Sequence, residues 1–238
     1  MGRAIPIERV TLIDSLVAAL EREIVSGDRP VGARLPSEED LGKEYGVSRT
    51  VVRESLSRLR ERGLLETING RGTFVRHPAP EDLSASLLLQ LQIQQTREEF
   101  TVDHLYEARI AIESMTARQA ATRADAQDIA RLEQTLVEME KFRGDKSAYT
   151  QADVGFHIAL AKASANPFLL TILQPLAKII IDGVYLTSDD SLAVDNGIKG
   201  HGEILACLKN RDPEAAAEAM RLHLIDSRHV FPDGAIAR

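Results

Sequence analysis

The sequence predicts a mainly α-helical protein, with an N-terminal winged helix-turn-helix and a C-terminal all-helical bundle. Three observations support this fold class. Two helical segments flank a turn at Gly46, a glycine-containing hairpin follows at 64–75, and apolar residues recur at helical spacing through the rest of the chain. The segment His-Pro-Ala-Pro at 77–80 breaks regular structure, so we expect it to link a domain at 1–76 to a domain at 81–238.

The first two helices are predicted from helical spacing, capping residues and glycines. A helix at 9–26 is expected to end at Gly27, and an extended link follows at 30–35. The next helix is expected at 37–45, where a serine followed three positions later by an acidic residue has the form of a capping box.

Residues 46–62 have the pattern of a helix that lies in the major groove of DNA. Ser48 is expected to cap this helix. Its buried side is expected to consist of Val47, Val51, Val52, Leu56 and Leu59. Arg49 and Arg53 lie four positions apart on the opposite face, where arginine can donate two hydrogen bonds to guanine. Ser48 and Thr50 can bond to phosphates near the helix start. The alternative is a solvated basic face that binds nothing.

A two-stranded wing is expected directly after this helix. Strands at 65–68 and 73–75 are joined by Asn-Gly-Arg-Gly, whose residues tolerate positive φ. Arg71 at the tip can reach a minor groove or the flanking backbone. The candidate residues for DNA contact are Arg34, Ser48, Arg49, Thr50, Arg53, Gly70 and Arg71.

Charge and composition favour double-stranded DNA as the nucleic acid. The net charge is −7, but residues 45–76 carry 7 Lys+Arg against 3 Asp+Glu, whereas residues 77–238 carry 16 against 24. Aromatic residues make up only 4%, so stacking platforms for single strands are not expected. The single cysteine, Cys207, excludes a disulfide framework and fits a cytoplasmic protein. The sequence has neither a membrane span nor a secretory signal, so no membrane partner is expected.

Everything after the linker is expected to be helical. The predicted helices are 81–94, 101–122, 126–142, 149–164, 167–186, 196–209 and 213–231. The dipeptides at 166–167 and 212–213 are strong helix starts, because proline is favoured at the first helical position. An apolar face formed by Leu87, Leu88 and Leu91 is a candidate for packing between domains or subunits.

A candidate metal site lies in this helical part. Asp153 and His157 are four positions apart, so both project from one helix face. His201 opens a later helix, and His223 lies within the last one. Three imidazoles and a carboxylate suit Zn²⁺ or another borderline divalent ion. Spacing places only Asp153 and His157 together, so histidines without a ligand, buried or at the surface, are the alternative.

Residues 35–75 resemble the winged helix-turn-helix of GntR-type bacterial transcription regulators over nearly their whole length. The shared motifs are LPSE at 35–38, GVSRTVVR at 46–53 and GRGTFV at 70–75. The resemblance implies DNA contacts by Arg49, Thr50, Arg53 and Gly70. Many relatives have an arginine where this chain has Glu39, so that contact is not expected and the preferred DNA sequence is expected to differ.

Residues 81–238 resemble the all-helical effector domain of the FadR subgroup, called FCD. Metal-binding members carry Asp-x-x-x-His and two later histidines, so the resemblance implies a divalent ion, with Zn²⁺ favoured and Ni²⁺ or Mn²⁺ as alternatives. The implied ligands are Asp153, His157, His201 and His223. Arg109 matches an arginine that faces the effector carboxylate, and its alternative is a surface ion pair with Glu113.

Together these features predict a bacterial transcription regulator, expected to be a repressor, that responds to a hydroxy acid or a sugar acid. A homodimer would place two recognition helices on a palindromic operator, about one helical turn apart. The rival is a metal-dependent hydrolase or oxygenase, but no general base is evident, and His201, Glu203 and His223 do not form HExxH, so no enzyme is expected. A purely structural metal site is the third alternative.

Overall fold

The structure is a computed structural model that describes residues 11–78, 87, 89–91, 93–94 and 100–231, with the backbone alone at 178, 179, 182 and 183. Backbone contacts divide the chain into two compact units, Met1–Asp82 and Leu83–Arg238, which we call the N-terminal and C-terminal units. The predicted linker at 77–80 and the domain bounds beside it stay predictions. No helix among the described residues is long and apolar enough to cross a membrane.

The N-terminal unit consists of helices and a hairpin, as the sequence predicts. Its elements are α1 (Leu12–Ser26), α2 (Glu38–Tyr45), α3 (Arg49–Glu61), β1 (Leu65–Ile68) and β2 (Gly72–Val75). The two strands pair antiparallel, from Leu65 opposite Val75 to Ile68 opposite Gly72. Buried aliphatic side chains from all three helices and both strands form one core. The predicted winged helix-turn-helix is therefore confirmed.

Local capping signals set the helix bounds in this unit. The Thr11 hydroxyl accepts a hydrogen bond from the Asp14 amide, so α1 begins at Leu12. The predicted start at residue 9 lies outside the described residues. The helix ends at Gly27, whose φ of 85° is unfavourable for other residues. The Ser37 and Ser48 hydroxyls cap α2 and α3 in the same way.

The C-terminal unit is helical throughout its described residues. Its elements are α4 (Val102–Arg123), α5 (Ala126–Lys141), α6 (Lys146–Ala163), α7 (Pro167–Thr187), α8 (Ser191–Lys209) and α9 (Pro213–Val230). Helix α9 packs against α4 and α8, and α6 packs against α5, α7 and α4. The core contains the fully buried side chains of Phe156, Leu160, Ile204, Leu208 and Met220. These observations confirm the predicted all-helical domain.

The helix predicted at 81–94 falls largely outside the described residues. The residues of this segment that are described, 87, 89–91 and 93–94, are helical. Leu87 and Leu91 are half-buried against the core of their own unit, whereas Leu88 lies outside the description. The packing of this face is thus at least partly within the C-terminal unit.

Helix α8 begins earlier than the sequence predicts. The Asp190 carboxylate accepts hydrogen bonds from the amides of Leu192 and Ala193, so the helix starts at Ser191 and not at residue 196. The predicted start at residue 196 falls inside the helix, and Gly197 is also a helical residue. Close packing against Tyr149 leaves no room for a side chain at position 197. A Cβ atom at Gly197 would come within 2.7 Å of the Tyr149 hydroxyl. Helix α6 likewise starts earlier than predicted, because Asp145 caps it.

Candidate functional site

The exposed face of α3 carries the predicted DNA-contacting residues of this helix. Arg49, Thr50 and Arg53 are exposed, and Val52, Leu56 and Leu59 are buried on the opposite side. Val47 and Val51 are only half-buried, because they lie at the edge of the helix-turn-helix core. The Ser48 hydroxyl is the helix cap and accepts from the Val51 amide at 3.4 Å.

Arg49 is held from one side by α2. Its Nε donates to Glu38 Oε2 at 2.9 Å, while the Arg49 side chain stays 79% exposed. The contact engages Nε, so both Nη nitrogens remain available for a base edge. Glu39, the position that departs from many relatives, is exposed and pairs with Lys43 at 2.7 Å on the surface of α2.

The three remaining candidates lie at the wing. Gly70 and Gly72 at its tip have φ of 74° and 115°, which favour glycine. Arg71 is exposed, and its guanidinium lies 5.9 Å from the centre of the Phe74 ring. Arg34 forms a backbone bridge with Phe74 and lies against Gly72, where a Cβ atom would come within 2.8 Å of Arg34 Nε. Arg71 of the hairpin tip and Arg34 of the segment before α2 thus both lie in the wing region of the N-terminal unit.

The candidate metal centre is a cluster of three buried histidines from three helices. His157 of α6, His201 of α8 and His223 of α9 are 7%, 0% and 6% exposed. One nitrogen of each ring lies within 4.8 Å of the others. His157 Nε2 and His201 Nε2 are 3.2 Å apart, a separation that two ligands of one ion adopt. The structure therefore brings together three of the four predicted ligands.

Asp153 lies beside this cluster but not within it. Its Oδ1 is 3.8 Å from His201 Nε2, and its side chain is buried one helical turn before His157. Burial raises the pKa of the Asp153 carboxyl, since few groups compensate its charge. A nearby cation would reverse that cost, so Asp153 is placed to complete a cation site.

Burial also sets the charge of the histidines. It lowers the pKa of His201 and His223 well below the ordinary value, because removal from water disfavours the imidazolium, and the neighbouring imidazoles add to the effect. Neutral imidazole is the form that binds metal. The Nδ1 atom of His201 lacks a side-chain partner within the described residues. Three buried imidazoles and a carboxylate thus fit a borderline divalent ion.

Arg109 and Glu113 form a buried ion pair at the back of this cluster. Arg109 Nε donates to Glu113 Oε1 at 2.8 Å, and their side chains are 4% and 3% exposed. The alternative of a surface ion pair is therefore wrong: the pair forms, but it is buried, because α4 packs against α6 and α9. Burial alone would raise the pKa of Glu113, but the charge of Arg109 and the polar contacts with Arg109 and His157 lower it to about 2.

A partly open cavity of about 50 Å³ leads to the cluster. Its polar lining consists of Tyr106, Arg109, Tyr149, Asp153, His157, Thr187, Ser188, Asn196, His223, Asp226 and Ser227. Arginine, hydroxyl and amide groups thus surround one side of the histidines. Of the lining residues, the sequence predicted Arg109, Asp153, His157 and His223. The other polar lining residues, and the place of Glu113 behind His157, depend on helix packing that no local pattern encodes.

A winged helix-turn-helix joined in one chain to an all-helical domain defines a class of DNA-binding transcription regulators. Residues 12–75 match the family described as bacterial regulatory proteins, gntR family, and residues 104–226 match the FCD domain. The chain belongs to the GntR family of bacterial regulators and carries an FCD domain. The expectation that it is not an enzyme is confirmed, because this family consists of regulators.

Two named repressors and one solved regulator structure are similar to this chain over most of its length. The galactonate operon transcriptional repressor of Escherichia coli K12 is 27% identical over 209 residues, which cover 87% of this chain and 90% of the relative. The HTH-type transcriptional repressor NanR of Cronobacter sakazakii is 29% identical and covers 94% and 86%. The solved structure of Streptococcus agalactiae GntR is 26% identical, with a TM-score of 0.71, and covers 91% of this chain and 99% of that one.

Proposed function

We propose that this GntR-family regulator is a bacterial repressor whose affinity for its operator is controlled by a small carboxylate bound at a divalent metal ion. The observation that carries the proposal is the buried histidine cluster, which opens into a cavity that also contains Arg109. The similarity to the galactonate operon repressor and to NanR supports the direction of control. Such a protein acts in the bacterial cytoplasm, where the chromosome lies.

DNA contact is assigned to α3 and the wing of the N-terminal unit. Arg49 and Arg53 would contact base edges, Ser48 and Thr50 would bond to phosphates, and three residues of the wing region would contact the flanking phosphate backbone. These three residues are Arg34, Gly70 and Arg71. A homodimer would place two copies of α3 on a palindromic operator.

The ligands of the ion are His157, His201 and His223, with Asp153 as the fourth. Zn²⁺ is favoured for this donor set, with Ni²⁺ or Mn²⁺ as alternatives. The bound ion supplies a Lewis-acid position that accepts a carboxylate or hydroxyl oxygen. Gly197 and Gly200 let α8 lie close enough for His201 to join the cluster, since a Cβ at either position would meet Tyr149 or His223.

The charges around the cavity favour an effector with one carboxylate. Among the buried groups, a bound divalent ion would contribute two positive charges and Arg109 one, whereas Glu113 and Asp153 remove one each, so one positive charge is left. Asp226 also lines the cavity, but it is exposed, so water and salt screen its charge. A single carboxylate neutralises it, and further carboxylates would be buried without a partner. Hydroxyl and amide groups of Thr187, Asn196 and Ser227 can bond to effector hydroxyls. These features favour a hydroxy acid or a sugar acid.

The test combines operator binding with a ligand panel. Fluorescence anisotropy with promoter fragments from the protein's own locus should detect specific binding, and a monocarboxylate sugar acid should change that affinity only when metal is present. The effector has to favour one arrangement of the paired DNA-binding domains, because a ligand shifts only states that it binds differently. Dicarboxylates of similar size serve as matched controls. Failure to bind any of these fragments, with or without metal, would refute the proposal.

Calorimetry separates the metal-linked effector site from a purely structural metal. Metal-loaded wild type and His157→Ala are titrated with the active acid under identical conditions. We expect the acid to bind the wild type and to lose most of its affinity for the variant, since His157 lines the cavity. Equal affinities would show that the effector does not use this cluster.

A further inference from the structure

Three buried side chains form a continuous chain that ends at the histidine cluster. Arg109 and Glu113 are one helical turn apart on α4, and His157 lies on α6. Arg109 Nε donates to one oxygen of Glu113 at 2.8 Å, and the other oxygen, Oε2, lies 2.5 Å from His157 Nδ1 in a close contact that does not have the direction of a hydrogen bond. Glu113 therefore contacts a different cation or donor with each carboxylate oxygen.

Glu113 does not line the cavity that leads to the histidine cluster. It is 2% exposed and lies outside that cavity, whereas both of its partners line it. With the same two partners it borders a second, smaller recess whose other lining residues are apolar. A buried carboxylate is costly unless its oxygens are compensated, so its presence here needs an explanation beyond packing. Toward the cavity at the histidines, the effect of Glu113 passes through Arg109 and His157.

We propose that Glu113 is a positioning residue of the metal centre, which holds the Nδ1 edge of His157 so that Nε2 points into the histidine cluster. The opposite edge of the ring is the one that matters for coordination, because His157 Nε2 lies 3.2 Å from His201 Nε2. A carboxylate at Nδ1 keeps the proton on that nitrogen and leaves the Nε2 lone pair free. This inference rests on the proposed metal site.

The same carboxylate orients Arg109. Because Glu113 engages Nε, the two Nη nitrogens of Arg109 are left on the side of the cavity that it lines. One residue that touches no ligand thus orients both groups that the proposed function requires, the metal-binding histidine and the arginine that faces the anion.

Glu113→Gln tests the inference, because it keeps the size of the side chain and removes its charge. A glutamine that accepts from Arg109 presents its amide N–H to His157, which favours the wrong tautomer. Glu214→Gln is the matched control, since Glu214 of α9 also pairs with an arginine of α4, Arg118, but its side chain is 69% exposed. The readouts are Zn²⁺ affinity of the full chain, by competition with a chromophoric chelator, and the visible spectrum with Co²⁺ bound.

We expect Glu113→Gln to bind Zn²⁺ about 10–100-fold more weakly and to alter the Co²⁺ spectrum, while Glu214→Gln matches the wild type. Wild-type affinity and spectrum in Glu113→Gln, whatever its thermal stability, would overturn the inference and leave the metal site intact. A wild type that binds neither ion would overturn the proposed metal site itself, and the inference with it.

A second measurement needs no variant at position 113. Long-range proton–nitrogen NMR spectra of the metal-free wild type, labelled with ¹⁵N-histidine, report which ring nitrogen of His157 carries the proton. The signals are assigned by their loss in His157→Gln. A proton on Nδ1 supports the inference, and the tautomer protonated only on Nε2 would overturn it.

Discussion

Gly200 lies directly against His223: a Cβ atom at position 200 would come within 2.5 Å of His223 Nδ1 and within 3.2 Å of its Cβ. His223 belongs to α9 and Gly200 to α8, so the missing side chain is what allows these two helices to approach at the histidine cluster. The residue next to this contact is His201, itself fully buried.

Gly200→Ala should therefore displace the His223 ring and weaken Zn²⁺ binding by about tenfold or more. Gly202→Ala is the matched control two positions away, because a Cβ there would meet no described atom within 4 Å. The control should bind Zn²⁺ normally and gain up to about 1 kcal/mol of helix stability. Chelator competition measures the Zn²⁺ affinity of each variant, and equal affinities in the two variants would contradict this account.

Arg49→Ala should reduce discrimination between operator and random duplex by roughly 1–3 kcal/mol, because the proposed role of the lost guanidinium is contact with a base. Arg22→Ala changes an exposed arginine of α1 and serves as the control for lost charge. Anisotropy titrations with both duplexes measure the ratio. An unchanged ratio in Arg49→Ala would remove Arg49 from base recognition.

Arg71→Ala should weaken binding to operator and random duplex alike, since a wing-tip arginine that contacts backbone carries no sequence information. Removing one phosphate contact should also lower the slope of log affinity against log salt by about 1. Titrations at four salt concentrations provide the slope. A loss confined to the operator would instead assign Arg71 to base contact.

Removal of metal should leave the helical content of the C-terminal unit intact, because its core of aliphatic and aromatic side chains does not depend on the ion. Metal at about 100-fold above its dissociation constant adds about 2.7 kcal/mol by mass action. The unfolding midpoint should then rise by roughly 5–10 °C on reloading, measured by circular dichroism. Collapse of helicity in the stripped protein would favour a structural metal.

Phe156→Ala should destabilise the C-terminal unit by about 3–5 kcal/mol, because this side chain is fully buried and its ring centre lies 4.5 Å from that of His201. Phe168→Ala removes a side chain that is 71% exposed, so its effect should stay within about 0.5 kcal/mol. Urea unfolding compares the two variants. Similar losses would mean that the assigned core is wrong.

The winged helix-turn-helix could be predicted because its signals are local. A serine cap at Ser48, glycines with positive φ at Gly46 and Gly70, and apolar spacing in α3 are each visible within a few residues. The register of the hairpin follows from its short tip. Local signals define the fold of this unit, whereas the assignment of individual arginines to DNA contact stays a prediction.

The histidine cluster could be predicted only through a family resemblance. His157 and His201 are 44 positions apart, and no spacing rule connects helices that meet by packing. Glu113 was missed for the same reason, because a charge four positions from Arg109 has the pattern of an exposed pair. Only the burial of α4 against its neighbours reveals that the pair lies behind His157.

Helix α8 carries Gly197, Gly200 and Gly202 within two turns, and the first two permit its close contacts with Tyr149 and His223. Glycine inside a helix costs about 1 kcal/mol relative to alanine. The turn that approaches the histidines most closely therefore has the weakest intrinsic preference for its own conformation. Its backbone amides should therefore exchange with deuterium before those of the rest of α8.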